Sequence, residues 1–307
     1  MKHMTELRSI VKGTLLEQEP MSQHTSYGIG GPVTAYITPR DRFDLAEILK
    51  FANGHSIPAY FVGSGSNLLV ADDGIDGIVI SPAKSLKHLE INRGFVTAES
   101  GVMLGRMVKE CIHQDLTGLE SLIGVPGTLG GALVMNAGAF DGEISNYLKS
   151  VDIMTMKGKV HTYTPGDIDF AYRFSTFKKD EFILLARFEL QNEDPAVIQE
   201  KRSKASTGRK TNQPLKFRSA GSVFKNPEEY AAGYLIDQAG LKGTRVGNAE
   251  ISTHHANFFI NHGGASASDI TALIRLARKT VFEKFGIELE LEVKTIGFDQ
   301  KDLAADG

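Results

Sequence analysis

Apolar residues recur along this chain with two periods, and the periods alternate. Leu45, Ile48, Leu49 and Ala52 follow a 3.6-residue repeat, with Asp41 placed to cap the helix they predict and Gly54 to end it. Ile57–Val62 then reads as a short buried strand. Leu68–Val70 and Ile78–Ile80 are further strands, with Asp72-Asp73-Gly74 as turn chemistry between them. Leu104, Met107, Val108, Cys111 and Ile112 predict a second amphipathic helix. A long irregular stretch, Gly118 to Gly142, follows it. Val151–Met156 and Glu181–Leu190 read as strands, and Asp194-Pro195 opens a polar helix. A helix is expected over Glu228–Gln238, with Pro227 at its first position and Gly240 beyond its end. The longest spans Ser268–Phe285, with Ile270, Leu273, Ile274, Ala277 and Val281 on one face and Gly286 as its stop. The last strand expected is Ile287–Val293, which alternates strictly and puts Glu288, Glu290 and Glu292 on one face. Lys301–Gly307 reads as a loose tail, and no internal repeat is present.

Composition narrows the class. The 307 residues carry 34 basic and 37 acidic side chains, and 41% of them are hydrophobic, the profile of an ordinary globular protein of two or three domains. The single cysteine, Cys111, excludes a disulfide framework and a cysteine-based metal centre, and its place on an apolar helix face reads as packing. No apolar run approaches the roughly 18 residues of a membrane span, and no signal peptide is visible. A cytoplasmic location is therefore expected, without a membrane partner. Met1-Lys2-His3 ahead of Met4 is open to two readings, a cloning scar or part of the chain proper.

Charge is unevenly spread. Lys201–Pro227 holds eight basic residues and no acidic one, in a chain whose net charge is −3. A domain boundary is placed near residue 194 on this shift. The stretch ends in Ser219-Ala220-Gly221-Ser222-Val223-Phe224-Lys225-Asn226-Pro227, where a Lys-Asn pair before a helix start suits a diphosphate. Nucleic acid is not expected as a partner: the stretch has two aromatics, Phe217 and Phe224, and no stacking motif.

Glycine is in excess, with 32 residues against an ordinary frequency of about 7%. The excess concentrates in residues 28–31, 63–77 and 118–142. Gly63-Ser64-Gly65-Ser66-Asn67 follows a strand, but Leu68 stands where a dinucleotide fingerprint needs its third glycine, and strand rather than helix follows. Gly124-Val125-Pro126-Gly127-Thr128-Leu129-Gly130-Gly131-Ala132, with Asn136-Ala137-Gly138 after it, is a second candidate cradle for a pyrophosphate. Each loop alone is equally well a tight structural turn. Ser222 is not read as a hydrolase nucleophile, because Phe224 replaces the second glycine of a nucleophile elbow. His254, His255 and His262 lack the spacing of a helical metal site, and no metal is expected.

Taken together, these segments resemble the UDP-N-acetylenolpyruvoylglucosamine reductase family. The two glycine loops are joined in family order by Tyr172-Arg173, Gly221–Pro227, Leu241-Lys242-Gly243, His255-Ala256-Asn257-Phe258 and Glu292-Val293-Lys294-Thr295-Ile296-Gly297. They span roughly residues 25–297, nearly the whole chain. The resemblance implies an α+β fold: a two-part FAD-binding region of the vanillyl-alcohol-oxidase (PCMH) type, then a C-terminal α+β substrate domain. The boundaries expected are 1–90 and 91–200 for the two FAD-binding parts and 201–307 for the substrate domain. Only 49 positions separate Arg173 from Ser222, so the chain is similar to the shorter family form without a tyrosine-bearing loop.

The activity implied is reduction of the enolpyruvyl ether of a UDP-sugar, with non-covalent FAD as cofactor, NADPH as reductant, and the two substrates using one cleft in turn. By the same resemblance, Ser222 is the proton donor, Arg173 stabilises the enolate-like charge, and Glu292 is the third catalytic residue. Periodicity alone leaves Glu288, Glu290 and Glu292 equivalent. The FAD-binding residues implied are Gly63, Ser64, Gly65, Ser66, Asn67, Pro126, Gly127, Thr128, Gly130, Gly131, Asn136 and Gly138. Tyr172, Lys225, Asn226, Lys210 and Gln213 are implied for substrate. A monomer acting on a small-molecule UDP-sugar is expected. Two other readings stand beside this one: an FAD-dependent oxidase of the same fold acting on a hydroxy acid or sugar, and a non-catalytic protein that binds a UDP-sugar or flavin.

Overall fold

The computed structural model describes residues 3–140 and 142–304. In chain order its main elements are α1 (Met4–Ile10), β1 (Thr14–Pro20), β2 (Pro32–Thr38), α2 (Arg42–Gly54), β3 (Ala59–Phe61), β4 (Leu68–Val70), β5 (Ile75–Ile80), β6 (Leu89–Asn92) and β7 (Phe95–Glu99). They continue with α3 (Leu104–His113), α4 (Leu129–Val134), β8 (Leu148–Thr155), β9 (Val160–Tyr163), β10 (Glu181–Glu189), α5 (Pro195–Asn212) and α6 (Ala232–Gln238). The last are β11 (Arg245–Val246), β12 (Ala249–Ile251), β13 (Phe259–Asn261), α7 (Ala267–Phe285) and β14 (Lys294–Ile296).

Two compact units share the chain. Met1–Glu17, Thr34–Ser64 and Gly77–Arg209 form one, and Gln18–Val33, Gly65–Asp76 and Lys210–Gly307 form the other. This differs from a linear division at residues 90 and 200. Two early segments, 18–33 and 65–76, belong with the C-terminal third, because their backbone bonds lie there. Leu68–Val70 of β4, for example, pairs in parallel with Lys294–Ile296 of β14. Hydrophobic periodicity reports which face of an element is buried, not which distant segment it meets.

The first unit has two hydrophobic cores. One gathers Leu7 of α1, Leu45, Ile48, Leu49 and Ala52 of α2, and Ala35, Ile37, Ile78 and Ile80 from the sheet of order β1-β2-β5-β3. The α2 stripe is the one its sequence period predicts. Asp41 caps that helix, its carboxylate accepting from the Phe43 and Asp44 N–H groups, an interaction that stabilises a helix by about 1 kcal/mol. The second core lies between α3, α4 and the antiparallel sheet of order β9-β8-β10-β7-β6. All five predicted apolar residues of α3 are buried in it, Cys111 among them. Each large aliphatic side chain so buried contributes about 1.5–3 kcal/mol.

The second unit packs α6 and α7 with the sheet β11-β12-β13. Ile270, Leu273, Ile274, Ala277 and Val281 of α7 are all buried, and Gly286 ends the helix in the left-handed conformation at φ 68°.

Four sequence expectations are corrected. The stretch 118–142 is not wholly irregular, since it contains α4. The helix expected from Glu228 begins at Ala232, so Pro227 is not its first residue. Asn226 explains the delay: its Oδ1 accepts from the Ala232 N–H at 3.0 Å and takes the chain around a turn before the helix can start. Residues 287–293 alternate in burial but form no strand; only Leu291 makes an isolated bridge, to Phe224, and the strand proper is Lys294–Ile296. Lys301 is not in a loose tail, because Gln300–Leu303 is a 3₁₀ turn whose Asp302 and Leu303 carbonyls accept from Arg275 and Arg278. Met1, Lys2 and residues 305–307 lie outside the described residues.

Candidate active site

In the first unit, the loop after β3 and the loop before α4 meet. A Cβ added at Gly63 would overlap Thr128 Oγ1, so only glycine allows this approach. The Gly63 carbonyl accepts from Ser81 Oγ at 3.1 Å. Gly127 takes φ 128°, which a side chain rarely adopts. Leu129 and Gly130 donate their N–H groups to the carbonyls of Val102 and Ser100 at 2.8 and 2.9 Å. Those two amides are therefore committed to the fold. Ser64 Oγ, Ser100 Oγ and Thr128 Oγ1 are buried and have no hydrogen-bond partner among the described residues. Unpaired buried hydroxyls cost about 1–3 kcal/mol each, so three of them around glycine loops mark a place built for a polar ligand. This is the donor set an FAD phosphate chain or ribityl group requires.

Asn136 lies at the C-terminal end of α4, fully buried and at φ 41°. Its Nδ2 donates to Glu143 Oε2 at 2.7 Å and to the Ala171 carbonyl at 3.1 Å, while Oδ1 has no partner among the described residues. Gly138 pairs with Glu143, and a Cβ there would come within 2.9 Å of Glu143 Cγ and 3.5 Å of Arg173 Nη1. Tyr172 and Arg173 form the two-residue turn of a hairpin that pairs Ala171 with Phe174. Arg173 sits at φ 56° with its guanidinium 4.9 Å from the Tyr172 ring centroid. A bulky residue held in the left-handed region is a recurring mark of functional sites. Arg209 stands nearby. Burial, and then the charge of Arg173, push its guanidinium below the usual arginine range. Its Nε is buried without a hydrogen-bond partner among the described residues. The first unit thus brings together Asn136, Gly138, Arg173 and Arg209 around a concentration of positive charge.

In the second unit, Ser222 and Glu292 come from segments bonded to each other. Ser222 bridges Phe258, and the next carbonyl, Val223, accepts from the Glu292 N–H at 2.8 Å. Asn67 joins the same cluster, its Nδ2 donating to the Glu292 carbonyl at 3.1 Å. Gly65, at φ 64°, lies against the His24 carbonyl, where a Cβ would overlap backbone. Lys225 donates its N–H to the Glu290 carbonyl at 2.8 Å, and its Nζ lies 2.6 Å from Glu290 Oε1. The three glutamates that periodicity leaves equivalent are thus separated. Glu288 is exposed, Glu290 pairs with Lys225, and Glu292 is half-buried beside Ser222 and Asn67. Asn226 Oδ1 accepts from the Ala232 N–H at the start of α6. Lys210 is exposed in the last turn of α5, and Gln213 is half-buried just beyond its end. His254 bonds the Thr211 carbonyl and His262 bonds Glu250.

The model of the UDP-N-acetylenolpyruvoylglucosamine reductase C-terminal domain matches residues 213–296, and an FAD binding domain model matches residues 33–164. A reductase of that name from Clostridioides difficile is 42% identical over 95% of this chain and 97% of its own length. One from Shouchella clausii is 41% identical over 96% and 95%. The crystal structure of the reductase from Thermus caldophilus superposes with a TM-score of 0.78 at 34% identity, covering 92% of this chain and 98% of that one. The chain belongs to the UDP-N-acetylenolpyruvoylglucosamine reductase family. Its fold is the α+β arrangement expected, an FAD-binding domain followed by the reductase C-terminal domain. Membership also makes it a flavoprotein oxidoreductase that uses FAD.

Sequence reasoning missed four polar groups within this reductase framework. Ser100 and Glu143 lie outside the glycine loops and meet them only through the fold. Arg209 counted only as one charge in a basic run, and no local signal marks it as the buried one. Asn257 makes a reciprocal pair with Phe224, accepting from its N–H at 2.9 Å and donating to its carbonyl at 2.8 Å, and so fixes the backbone between Ser222 and Lys225. Only the His255–Phe258 family segment hinted at it.

Proposed function

We propose that this chain reduces the enolpyruvyl ether of UDP-N-acetylglucosamine enolpyruvate to the lactyl ether of UDP-N-acetylmuramate, a step of peptidoglycan precursor synthesis. NADPH is the reductant, and it and the sugar nucleotide use the cleft in turn. Gly63, Ser64, Gly65, Ser66, Asn67, Pro126, Gly127, Thr128, Gly130, Gly131, Asn136 and Gly138 would hold FAD, which when bound would supply the hydride for the methylene carbon of the substrate. The remaining work falls to the protein: holding the substrate, stabilising negative charge at the neighbouring carbon and its carboxylate, and delivering one proton to that carbon.

Arg173 takes the developing charge, because a guanidinium held in a fixed turn can face a carboxylate with two parallel N–H donors. Arg209 adds field at the same place without neutralising it. Ser222 hands its hydroxyl proton to the carbon, and Glu292 orients that hydroxyl and relays the proton that replaces it. Lys225 binds the diphosphate. Tyr172, Asn226, Lys210 and Gln213 complete the substrate contacts. On this reading the protein works as a cytoplasmic monomer.

One observation carries this reading: Ser222, Glu292 and Asn67, far apart in sequence, are joined through the backbone at Val223 and Glu292. The test is an anaerobic titration of the purified yellow protein. NADPH should bleach its visible flavin band, and the enolpyruvyl substrate should restore the colour with formation of the lactyl ether. A protein that takes up no FAD, or whose reduced form is reoxidised by oxygen but not by this substrate, overturns the proposal.

A further inference from the structure

At the start of the first unit, three side chains that belong to no part of the reductase site converge. His3 caps the start of α1 by position, Glu6 lies one turn further on, and His55 follows the end of α2. One nitrogen from each imidazole and one Glu6 carboxylate oxygen all lie within 4.8 Å of one another. His55 Nε2 is 3.5 Å from Glu6 Oε2, and His3 Nδ1 is 4.0 Å from it. The two imidazole rings lie 4.2 Å apart between centroids, tilted by 55°. We infer that His3, Glu6 and His55 form a binding site for a divalent transition-metal ion of the zinc class.

Three features support the assignment. The first is chemical: two imidazoles and one carboxylate suit zinc, cobalt or nickel, whereas magnesium and calcium select all-oxygen sets. The second is geometric. Ligand atoms about 2.1 Å from a tetrahedral ion lie about 3.4 Å from each other, so the Glu6–His55 separation already fits, and small side-chain rotations bring in His3. The third is the arrangement behind His55. Its Nδ1 lies 3.1 Å from the Phe51 carbonyl, to which it can donate. With Nδ1 turned to that carbonyl, Nε2 is the ring nitrogen that faces Glu6, and the carbonyl is the kind of outer-sphere support that metal-bound histidines almost always have. The Phe51 ring, 4.4 Å from the His55 ring, packs against the same imidazole and limits its rotation.

Three protein ligands leave a fourth position open to water. The site joins α1 to the end of α2, two elements that share the hydrophobic core containing Leu7, Ile48 and Leu49. A bound ion would therefore hold the N-terminal helix to the body of the first unit. It lies apart from the glycine loops and from Arg173 in sequence and shares no residue with them, so it is not expected to take part in the reduction.

The experiment is calorimetric titration of the flavin-loaded, tag-free chain with zinc chloride, repeated with cobalt chloride and read by visible absorption. The wild type should bind one ion per chain, give the intense visible bands of tetrahedral cobalt, and unfold at a higher temperature with zinc than without. His55→Ala should weaken binding at least tenfold and abolish the zinc-induced rise in melting temperature. Its flavin content and reductase activity should stay unchanged. Should His55→Ala fail to fold, His3→Ala at the helix end replaces it, with the same expectation. Absence of stoichiometric uptake by the wild type, or unaltered affinity in the folded variant, overturns the site.

Discussion

Lys225 Nζ lies 2.6 Å from Glu290 Oε1, with the lysine side chain mostly enclosed and the glutamate largely in solvent. The charge proposed to meet the substrate diphosphate is therefore already engaged by an internal anion. An incoming diphosphate has to displace that carboxylate or share the ammonium with it. Glu290→Gln should lower KM for the sugar nucleotide several-fold at unchanged kcat, and Lys225→Ala should raise it about tenfold or more. Steady-state kinetics at two salt concentrations checks both. If Glu290→Gln leaves KM where it was, the pair is a surface ion pair and Lys225 does not bind diphosphate.

Ser222 is expected to act in one half of the reaction only. Ser222→Ala should leave flavin reduction by NADPH nearly intact and slow reoxidation by the enolpyruvyl substrate by about 10²–10⁴-fold. Anaerobic stopped-flow separates the two halves. Equal slowing of both would assign Ser222 to binding or folding.

The approach of Gly63 to Thr128 makes a prediction that needs no substrate. Gly63→Ala should purify with little flavin and lose about 1–3 kcal/mol of stability, because the new methyl group overlaps Thr128 Oγ1. Adding Thr128→Ala should recover most of the stability but not the flavin, since it relieves the overlap while removing one of the buried hydroxyls. Denaturant melts and the ratio of visible to ultraviolet absorbance report the two quantities. Recovery of full flavin content in the double variant would show that the hydroxyl is not a ligand.

Burial, and after it the charges of Glu110 and Glu120, push the Cys111 thiol up to about 12. The native protein should accordingly resist thiol reagents until it unfolds. The sign of the stability effect follows. The folded chain keeps this proton when the unfolded chain, with its ordinary thiol pKa of about 8.5, has lost it. The thiol's contribution is present in full below about pH 8.5 and is lost as pH rises toward 12. Cys111→Ala should flatten that alkaline decline while costing some packing energy. An unchanged alkaline slope would mean that other groups govern it.

How much of this was legible in the sequence depended on whether the signal was local. Asp41 and Gly54 marked the ends of α2, and Gly286 the end of α7, because capping is settled within a few residues. The stripes of α3 and α7 were legible for the same reason. The segment 287–293 misled because alternation of Leu289, Leu291 and Val293 records burial, while strand pairing depends on a partner elsewhere. The start of α6 misled because Asn226 offered its side chain to Ala232, which Pro227 does not disclose. Family motifs singled out Ser222 and Glu292 as candidates, and the fold bonds their segments together. Ser100, Glu143 and Arg209 stayed hidden, since each acquires its meaning from a neighbour distant in sequence.

The pairing of β4 with β14 also sets a schedule for the newborn chain. Leu68 is made early and Lys294, its partner, near the end, a separation of roughly 230 residues. At about 5–20 residues per second, β4 waits on the order of 10–45 s for the strand that completes it. The second unit therefore cannot finish folding on the ribosome while its last residues are still inside the exit tunnel. The apolar Leu68, Leu69 and Val70 are the part of this chain that most needs shelter during synthesis, and a truncation just before residue 294 would leave that edge permanently open.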